Sequence, residues 1–101
     1  MNKHTHYYQN LTSYDNGHTH QMAGKTSYEV HVGVSHVHHY HGVTSCDHAH
    51  VHHFQGVTGP AIPLPGGGHT HNYYGPTTFN HGHSHVYNAL TGNEERTHLF
   101  A

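Results

Sequence analysis

The sequence predicts an all-β domain built from an internal repeat. A His-x-His pair occurs six times in 101 residues, and an aromatic residue or methionine follows each pair at a fixed distance. Histidines that alternate with one other residue share one face of a strand, so this period indicates β-structure. Twelve glycines and four prolines disfavour helix, and only residues 88–97 have the composition of a helical turn.

The pairs are regularly spaced, because a shorter and a longer interval alternate along the chain. They begin at His4, His18, His36, His50, His69 and His83. We therefore expect one domain, residues 1–101, made of three two-pair copies at about 4–35, 36–68 and 69–101. One column behind the pairs contains Tyr8, Met22, Tyr40, Phe54, Tyr73 and Tyr87. A second column contains Thr12, Thr26, Thr44, Thr58, Thr77 and Thr91.

Each His-x-His module predicts one short strand. The two histidines and the following aromatic residue share a uniform face, whereas the other face varies, so the uniform face is expected to point inward. The glycines after the pairs (Gly24, Gly42, Gly56 and Gly75) and the threonines predict turns or bulges. Residues 59–68 predict a loop, and residues 26–35 predict an additional strand. Six such strands favour a small barrel or a prism-like arrangement, with a solenoid as the alternative.

Composition indicates that this chain needs help to fold. Hydrophobic residues make up only 32% of the sequence, and eight of them are tyrosines. The content of Leu, Ile, Val and Phe is therefore low for a stable hydrophobic core. Metal ligation or self-association is the expected source of additional order.

The remaining composition narrows the possible partners. The net charge of −2 gives no basic patch, so no nucleic-acid partner is expected. No signal peptide or membrane span is recognisable, which predicts a cytoplasmic protein without a membrane partner. The single cysteine, Cys46, cannot form an intramolecular disulfide.

The paired histidines are candidate metal ligands. Two imidazoles on one strand face can converge on one ion, and all-imidazole sites suit Zn, Ni, Cu, Co or Fe rather than Mg or Ca. Facing pairs within one copy would give four-histidine sites, about three ions per chain. Like pairs of the three copies would instead give two six-histidine sites. The first would contain His4, His6, His36, His38, His69 and His71, and the second His18, His20, His50, His52, His83 and His85.

Other polar residues have plainer interpretations. The unpaired His31, His39, His53 and His98 are expected at the surface, whereas His41 and His81 are open candidates for ligands at the rim of a site. The paired histidines themselves could instead form a neutral hydrogen-bonded ladder. No acidic residue recurs in all three copies, so the acid or base that hydrolysis requires is missing, and no enzyme is predicted.

The modules resemble a known family. The pattern H-V-H-x-[YF]-x-G-V-T and the run GVTGPAIPLPGGGHTH, residues 56–71, are similar to YmaF-type histidine-rich proteins of spore-forming bacteria, most clearly over residues 36–85. The resemblance implies no catalytic residue, and it implies a spore-associated location as the alternative to a cytoplasmic one. The first copy departs from the pattern at Gln9-Asn10-Leu11, where the G-x-T segment would begin.

The sequence therefore predicts binding of several transition-metal ions, which would also stabilise the fold. The competing hypothesis is a self-assembling coat or fibre subunit, a homo-oligomer or filament, because low charge and exposed strand edges favour stacking. A third hypothesis is an assembly that protonation of histidine releases.

Overall fold

The computed structural model describes residues 3–96, and this part of the chain is all-β without a helix. Its strands are β1 (His4–Leu11), β2 (Gln21–Lys25), β3 (Val30–Val32), β4 (Ser35–Val37), β5 (His39–Val43), β6 (His53–Val57), β7 (Ala61–Pro63), β8 (His69–Pro76), β9 (Val86–Leu90) and β10 (Glu94–Arg96). The predicted fold class is confirmed. The helical turn at residues 88–97 is wrong, since β9 and β10 occupy that stretch up to residue 96; residue 97 lies outside the described part. No helix long and apolar enough to cross a membrane occurs within residues 3–96.

Three antiparallel hairpins form the body of the molecule: β1–β2, β5–β6 and β8–β9. β10 extends the first hairpin beside β1, β7 extends the third beside β8, and β3–β4 is a separate hairpin. Within residues 3–96 the strands thus form four small sheets, and the expected closure into a barrel is wrong. In this part of the chain, strands pair only inside these sheets, and single backbone hydrogen bonds join one main hairpin to the next.

These single bonds occur at both ends of the hairpins. At one end, Ser13, Ser45 and Thr78 donate their N–H to carbonyls at the start of β9, β2 and β6, over 2.8–2.9 Å. At the other end, the N–H groups of Ser27, Gly59 and Gly92 bond to carbonyls in β5, β8 and β1, again over 2.8–2.9 Å. Each main hairpin is consequently bonded to both of the others.

The side chains that the sequence predicts to point inward form the interior. The six residues of the aromatic column form the hydrophobic core: Tyr8, Met22, Tyr40, Phe54, Tyr73 and Tyr87. In the first hairpin Tyr8 lies opposite Gly24 and Met22 opposite Asn10, between the levels of His6 and His20. The aromatic layer therefore separates two groups of buried histidines.

The four glycines have a different role from the predicted one. They lie within strands rather than in turns, and each faces a core ring across the ladder. A Cβ atom on Gly24 or Gly56 would lie 2.5 Å from the hydroxyl of Tyr8 or Tyr40, and one on Gly42 would lie 2.7 Å from Phe54. Glycine is needed here because the ring lies directly over the partner backbone.

The connections between copies are also more ordered than the sequence indicates. The predicted loop at residues 59–68 contains the short strand β7, which pairs with β8. The additional strand predicted in residues 26–35 is present as β3, which turns at Gly33 (φ 60°) into β4. The valines of β3 and its turn are exposed.

Candidate metal centres

The six pairs reach the interior in two ways. His4, His6, His69 and His71 lie in β1 and β8, as predicted, whereas the pair of the middle copy is split, because His36 lies in β4 and His38 lies between β4 and β5. The second pair of each copy lies outside the strands, which corrects the prediction of six His-x-His strands. Each of these pairs follows a tight turn closed by an isolated bridge, Asp15–His18, Asp47–His50 or Asn80–His83, and the strand begins only afterwards.

These turns place two successive residues at positive φ. The first is Asn16, His48 or His81, at 53–55°, and the second is Gly17, Ala49 or Gly82. This is the type I′ geometry that Asn-Gly favours. The first residue's carbonyl accepts a bond of 3.0–3.1 Å from Nδ1 of the first histidine of the pair. The turn itself therefore fixes the orientation of that ring.

A threonine fixes the second histidine of every pair. The Oγ1 atom of each column threonine accepts the backbone N–H of that histidine over 3.0–3.1 Å. The same hydroxyl donates to the carbonyl of the residue that follows the threonine. His20, His38, His52 and His85 lie between strands, and there this bond takes the place of a backbone ladder bond. These threonines are clamps on candidate ligands and not the simple turn formers that the sequence predicted.

The first cluster brings together the first pair of all three copies: His4, His6, His36, His38, His69 and His71. One candidate ligand atom from each lies within 4.8 Å of all the others. The first histidine of each pair is less deeply buried than the second, so we call it the outer histidine and the second the inner one. The Nε2 atoms of the outer histidines, His4, His36 and His69, form a triangle with sides of 3.0–3.1 Å. This arrangement corresponds to the six-histidine alternative and not to facing pairs within one copy.

The second cluster contains the second pair of each copy: His18, His20, His50, His52, His83 and His85. The structure groups them as two overlapping sets of four that share His20 and His83. Nε2 of His83 lies 3.2 Å from Nε2 of both His50 and His52, and the same atoms of His18 and His20 are 3.1 Å apart. All six rings are buried.

Hydrogen bonds set the protonation of most of these rings. Each inner histidine directs Nδ1 at a carbonyl of a neighbouring copy, over 2.8–3.0 Å. A carbonyl only accepts, so Nδ1 carries the proton and Nε2 of the neutral ring carries a lone pair. The outer histidines of the second cluster are held in the same way by their turns. Nine of the twelve Nε2 atoms therefore present lone pairs to the cluster interiors.

Carboxylates contact two of the three outer rings of the first cluster. Nδ1 of His69 lies 2.9 Å from Oε1 of Glu94, and Nδ1 of His4 lies 3.4 Å from Oε1 of Glu29. Both glutamates follow their histidine at the same sequence separation, whereas Ala61 takes the equivalent position after His36. Sequence reasoning missed these two residues because the column is incomplete; the shared spacing was the signal that would have found them.

Burial favours the neutral form of several cluster histidines. It lowers the pKa of His4, His6, His38 and His71 from 6.5 to about 4, and neighbouring imidazoles add to the effect. In the second cluster burial likewise lowers the pKa of His20 and His52. Neutral imidazole is the form that binds a metal ion. The clusters are thus ready to accept a cation at neutral pH.

The remaining histidines within residues 3–96 lie outside both clusters. His31, His39 and His53 are exposed, as predicted, and His98 lies outside the described residues. His41 is exposed on β5, so it is not a rim ligand. His81 stacks on His50 and His48 on His18, with ring centroids 4.7 and 4.5 Å apart. Cys46 is free and exposed.

Comparison with known proteins supports the resemblance seen in the sequence. The protein-family model YmaF, described as "Spore germination protein GerY/YamF", matches residues 1–92. The chain belongs to the YmaF family. No curated protein and no solved structure matched the chain. Family membership therefore confirms the resemblance, and the chemistry must be inferred from the clusters of this YmaF protein.

Proposed function

We propose that this YmaF protein binds divalent transition-metal ions, one at each histidine cluster, and that the ions hold its three main hairpins together. The observation that carries the proposal is the convergence of unprotonated Nε2 atoms on two buried points. Imidazole nitrogen suits Zn, Ni, Cu, Co and Fe(II). Each cluster draws ligands from all three copies, so a bound ion would cross-link the whole chain.

A neutral hydrogen-bonded ladder is a poorer account of the same contacts. Such a ladder requires a proton between each pair of nitrogens, but Nδ1 holds the proton in nine of the twelve rings. In the first cluster Nε2 of His38 and of His71 is buried without a hydrogen-bond partner, and so is Nε2 of His85 in the second. Leaving buried polar atoms unpaired costs roughly 1–3 kcal/mol each. A cation at the centre of each cluster would give all three Nε2 atoms a partner.

The bonds between hairpins support a pseudo-threefold, prism-like arrangement of the three copies. Ser27, Gly59 and Gly92 occupy corresponding positions, and each carbonyl accepts Nδ1–H from an inner histidine of the first cluster in a neighbouring copy. Ser45, Thr78 and Ser13 do the same for the second cluster. We propose that the axis of this arrangement passes through both metal positions.

The family's description concerns spore germination. We propose that this chain serves that process by holding metal ions inside the spore or in the cell that forms it. The lack of an acid or base that recurs in all three copies supports storage or structure rather than catalysis.

Metal titration of stripped protein tests the proposal. Chain freed of metal with a chelator is titrated with Ni(II) and followed by circular dichroism and calorimetry. We expect saturation at two ions per chain and a gain in β signal or in melting temperature. A double variant, His38→Gln with His52→Gln, is the control and should bind neither ion tightly. Stripped protein that keeps its full stability and binds no ion would refute the proposal.

A second candidate function is self-assembly, favoured by the β3–β4 hairpin. Val30, Val32 and Val34 are exposed on it, Val34 completely. Within residues 3–96 β3 pairs only with β4, so its other edge has no ladder partner, and no Lys, Arg, Asp or Glu lies in β3, β4 or their turn. Natural edge strands usually carry charge or proline to prevent stacking. We propose that copies of the chain associate through this edge.

Sedimentation separates the two functions. Metal-saturated wild-type protein should form oligomers or filaments, and Val32→Lys should remain monomeric with its metal content unchanged. A monodisperse monomer at high concentration, with both sites filled, would rule out assembly and leave metal binding intact.

A further inference from the structure

We propose that both clusters are octahedral six-imidazole sites, selective for divalent ions that accept this geometry, chiefly Fe(II), Co(II) and Ni(II). The inference rests on the proposed function and specifies which metal ions the two sites bind. It also predicts that no coordination position remains for water or another ligand. The ions would then be stored or structural ones that exchange slowly.

The arrangement of the rings in the first cluster carries the inference. Every imidazole there meets all but one of the other five edge-on, with ring centroids 4.5–5.2 Å apart. Among the described residues the pairs without such a contact are His4 with His71, His36 with His6, and His69 with His38. A corner of an octahedron likewise adjoins every corner except the opposite one, so these three pairs are the trans ligands.

The second cluster has the same pattern of ring contacts, and its ligand atoms lie within 4.8 Å of one another in two overlapping sets of four. Its rings meet with centroids 4.8–5.1 Å apart. Within this part of the structure the pairs that do not meet are His18 with His52, His20 with His83, and His50 with His85. Six residues from unrelated positions would not reproduce this relation twice. The fold therefore specifies six-fold coordination at both ends of the aromatic layer.

Distances between nitrogens agree with an octahedron. Seven pairs of neighbouring Nε2 atoms, four in the first cluster and three in the second, lie 3.0–3.2 Å apart. An octahedron with metal–nitrogen bonds of about 2.1–2.2 Å has edges of about 3.0–3.1 Å. A tetrahedral zinc site with bonds of about 2.0–2.1 Å needs nitrogens about 3.3–3.4 Å apart. The observed separations are too short for four tetrahedral ligands and fit six octahedral ones.

This geometry decides among the candidate ions. Structural zinc is almost always four-coordinate, and copper(II) prefers square or tetragonal sites. Ni(II), Co(II) and Fe(II) accept six nitrogens without that conflict. Affinity for a fixed nitrogen site rises from Fe(II) through Co(II) to Ni(II). We therefore expect Ni(II) to bind most tightly of the three, with cellular supply deciding which ion is carried.

Cobalt is the probe for the test. Stripped wild-type protein is titrated with Co(II) without oxygen, and its visible spectrum is recorded. Octahedral Co(II) absorbs weakly, whereas tetrahedral Co(II) absorbs intensely. Weak bands that saturate at two equivalents are expected. In a separate competition with equal Ni(II) and Zn(II), the protein should retain Ni(II) in about tenfold excess or more.

The outcomes distinguish this inference from the proposed function. Intense tetrahedral bands, or preference for Zn(II), would overturn octahedral selectivity while leaving metal binding established. No uptake of either ion would refute metal binding itself. The variant His69→Gln removes one outer ligand and should strengthen the Co(II) bands by lowering the symmetry. His41→Gln changes a histidine outside both clusters and should leave the spectrum as in the wild type.

Discussion

The two clusters use the same ligands but are supported differently. In the second cluster each outer ring is oriented by the carbonyl of its own turn, two residues earlier. In the first cluster, two outer rings contact glutamates that are distant in sequence, and the side chains of Glu29 and Glu94 are only 11% and 10% exposed. The carboxylates near the second cluster, Asp15 and Asp47, are 47% and 40% exposed.

This difference indicates how each site forms. The second cluster is preorganised locally, because short turns fix its outer ligands before the hairpins meet. The first depends on the regions around β3 and β10 that bring the glutamates in, so it requires more of the chain to be folded. Buried carboxylates beside its imidazoles also offset the charge of a bound ion. We infer that the second site forms first and that the first binds its ion more tightly.

The largest effect is expected from removing one inner ligand. His38→Gln disrupts the first cluster and His52→Gln the second, and each variant should retain one ion instead of two. Loss of one site should cost about 4 kcal/mol of stability when free metal is about 1,000 times the dissociation constant. Metal analysis measures the number of bound ions, and thermal melting measures the change in stability. If either variant loses both ions, the clusters are not independent sites.

Lowering the pH should have the next largest effect on folding stability, chiefly through the histidines of the first cluster. The folded-state pKa values of about 4 for His4, His6, His38 and His71, against 6.5 for free histidine, mean that the folded protein binds fewer protons than the unfolded chain. Stability is therefore complete above pH 6.5 and falls as the pH decreases towards 4. One such shift corresponds to about 3 kcal/mol.

Chemical unfolding at a series of pH values checks this expectation. The stability of wild-type protein should fall steeply below pH 6.5, and His38→Gln should show a shallower dependence than the wild type. Constant stability from pH 7 to pH 4.5 would contradict the burial of neutral histidines.

Replacing the carboxylates near each cluster should have a smaller effect on metal binding, and it tests the difference between the two sites. Glu29→Gln with Glu94→Gln should weaken ion binding at the first site by about 10–100-fold, the usual effect of losing a group that orients a ligand. Asp15→Asn with Asp47→Asn is the matched change at the second site. It should weaken binding less than about tenfold, because exposed ion pairs contribute under about 1 kcal/mol. Calorimetric titration of both variants tests the order, and equal losses would remove the proposed distinction.

The smallest effect is expected at one turn of the second cluster. Ala49 lies at φ 66°, where Gly17 and Gly82 stand in the other two copies. Ala49→Gly should raise stability by about 1 kcal/mol, because a side chain is strained at positive φ. The control Gly82→Ala should lower stability by a similar amount. Thermal melting would show the change, and a destabilised Ala49→Gly would mean that the turn is not strained.

Much of the interior can be predicted from the sequence because the same residue types recur at the same positions of each repeat. The uniform His-His-aromatic face predicted which side chains are buried, and Tyr8 and His6 lie where expected. The grouping of like pairs was one of two open alternatives. Nothing in the spacing alone decides between them, since pairing within a copy and across copies satisfies the same pattern.

Other features required the three-dimensional contacts. Gly24 reads as a turn residue, although its role is to admit the ring of Tyr8 from the opposite strand. Thr58 reads as a turn former, although its hydroxyl clamps His38 from 20 residues away. A period-two pattern also cannot distinguish a strand from an extended segment whose backbone bonds to side chains. The pattern therefore predicts a strand at His20, which lies before β2.

The most direct test of the account is the metal content of protein purified without a nickel column or chelator. Two ions per chain, lost together with part of the β signal on chelation, are predicted. Three or more tightly bound ions would contradict the six-histidine sites. Metal-free protein that remains fully folded would contradict the central claim that metal ions join the hairpins.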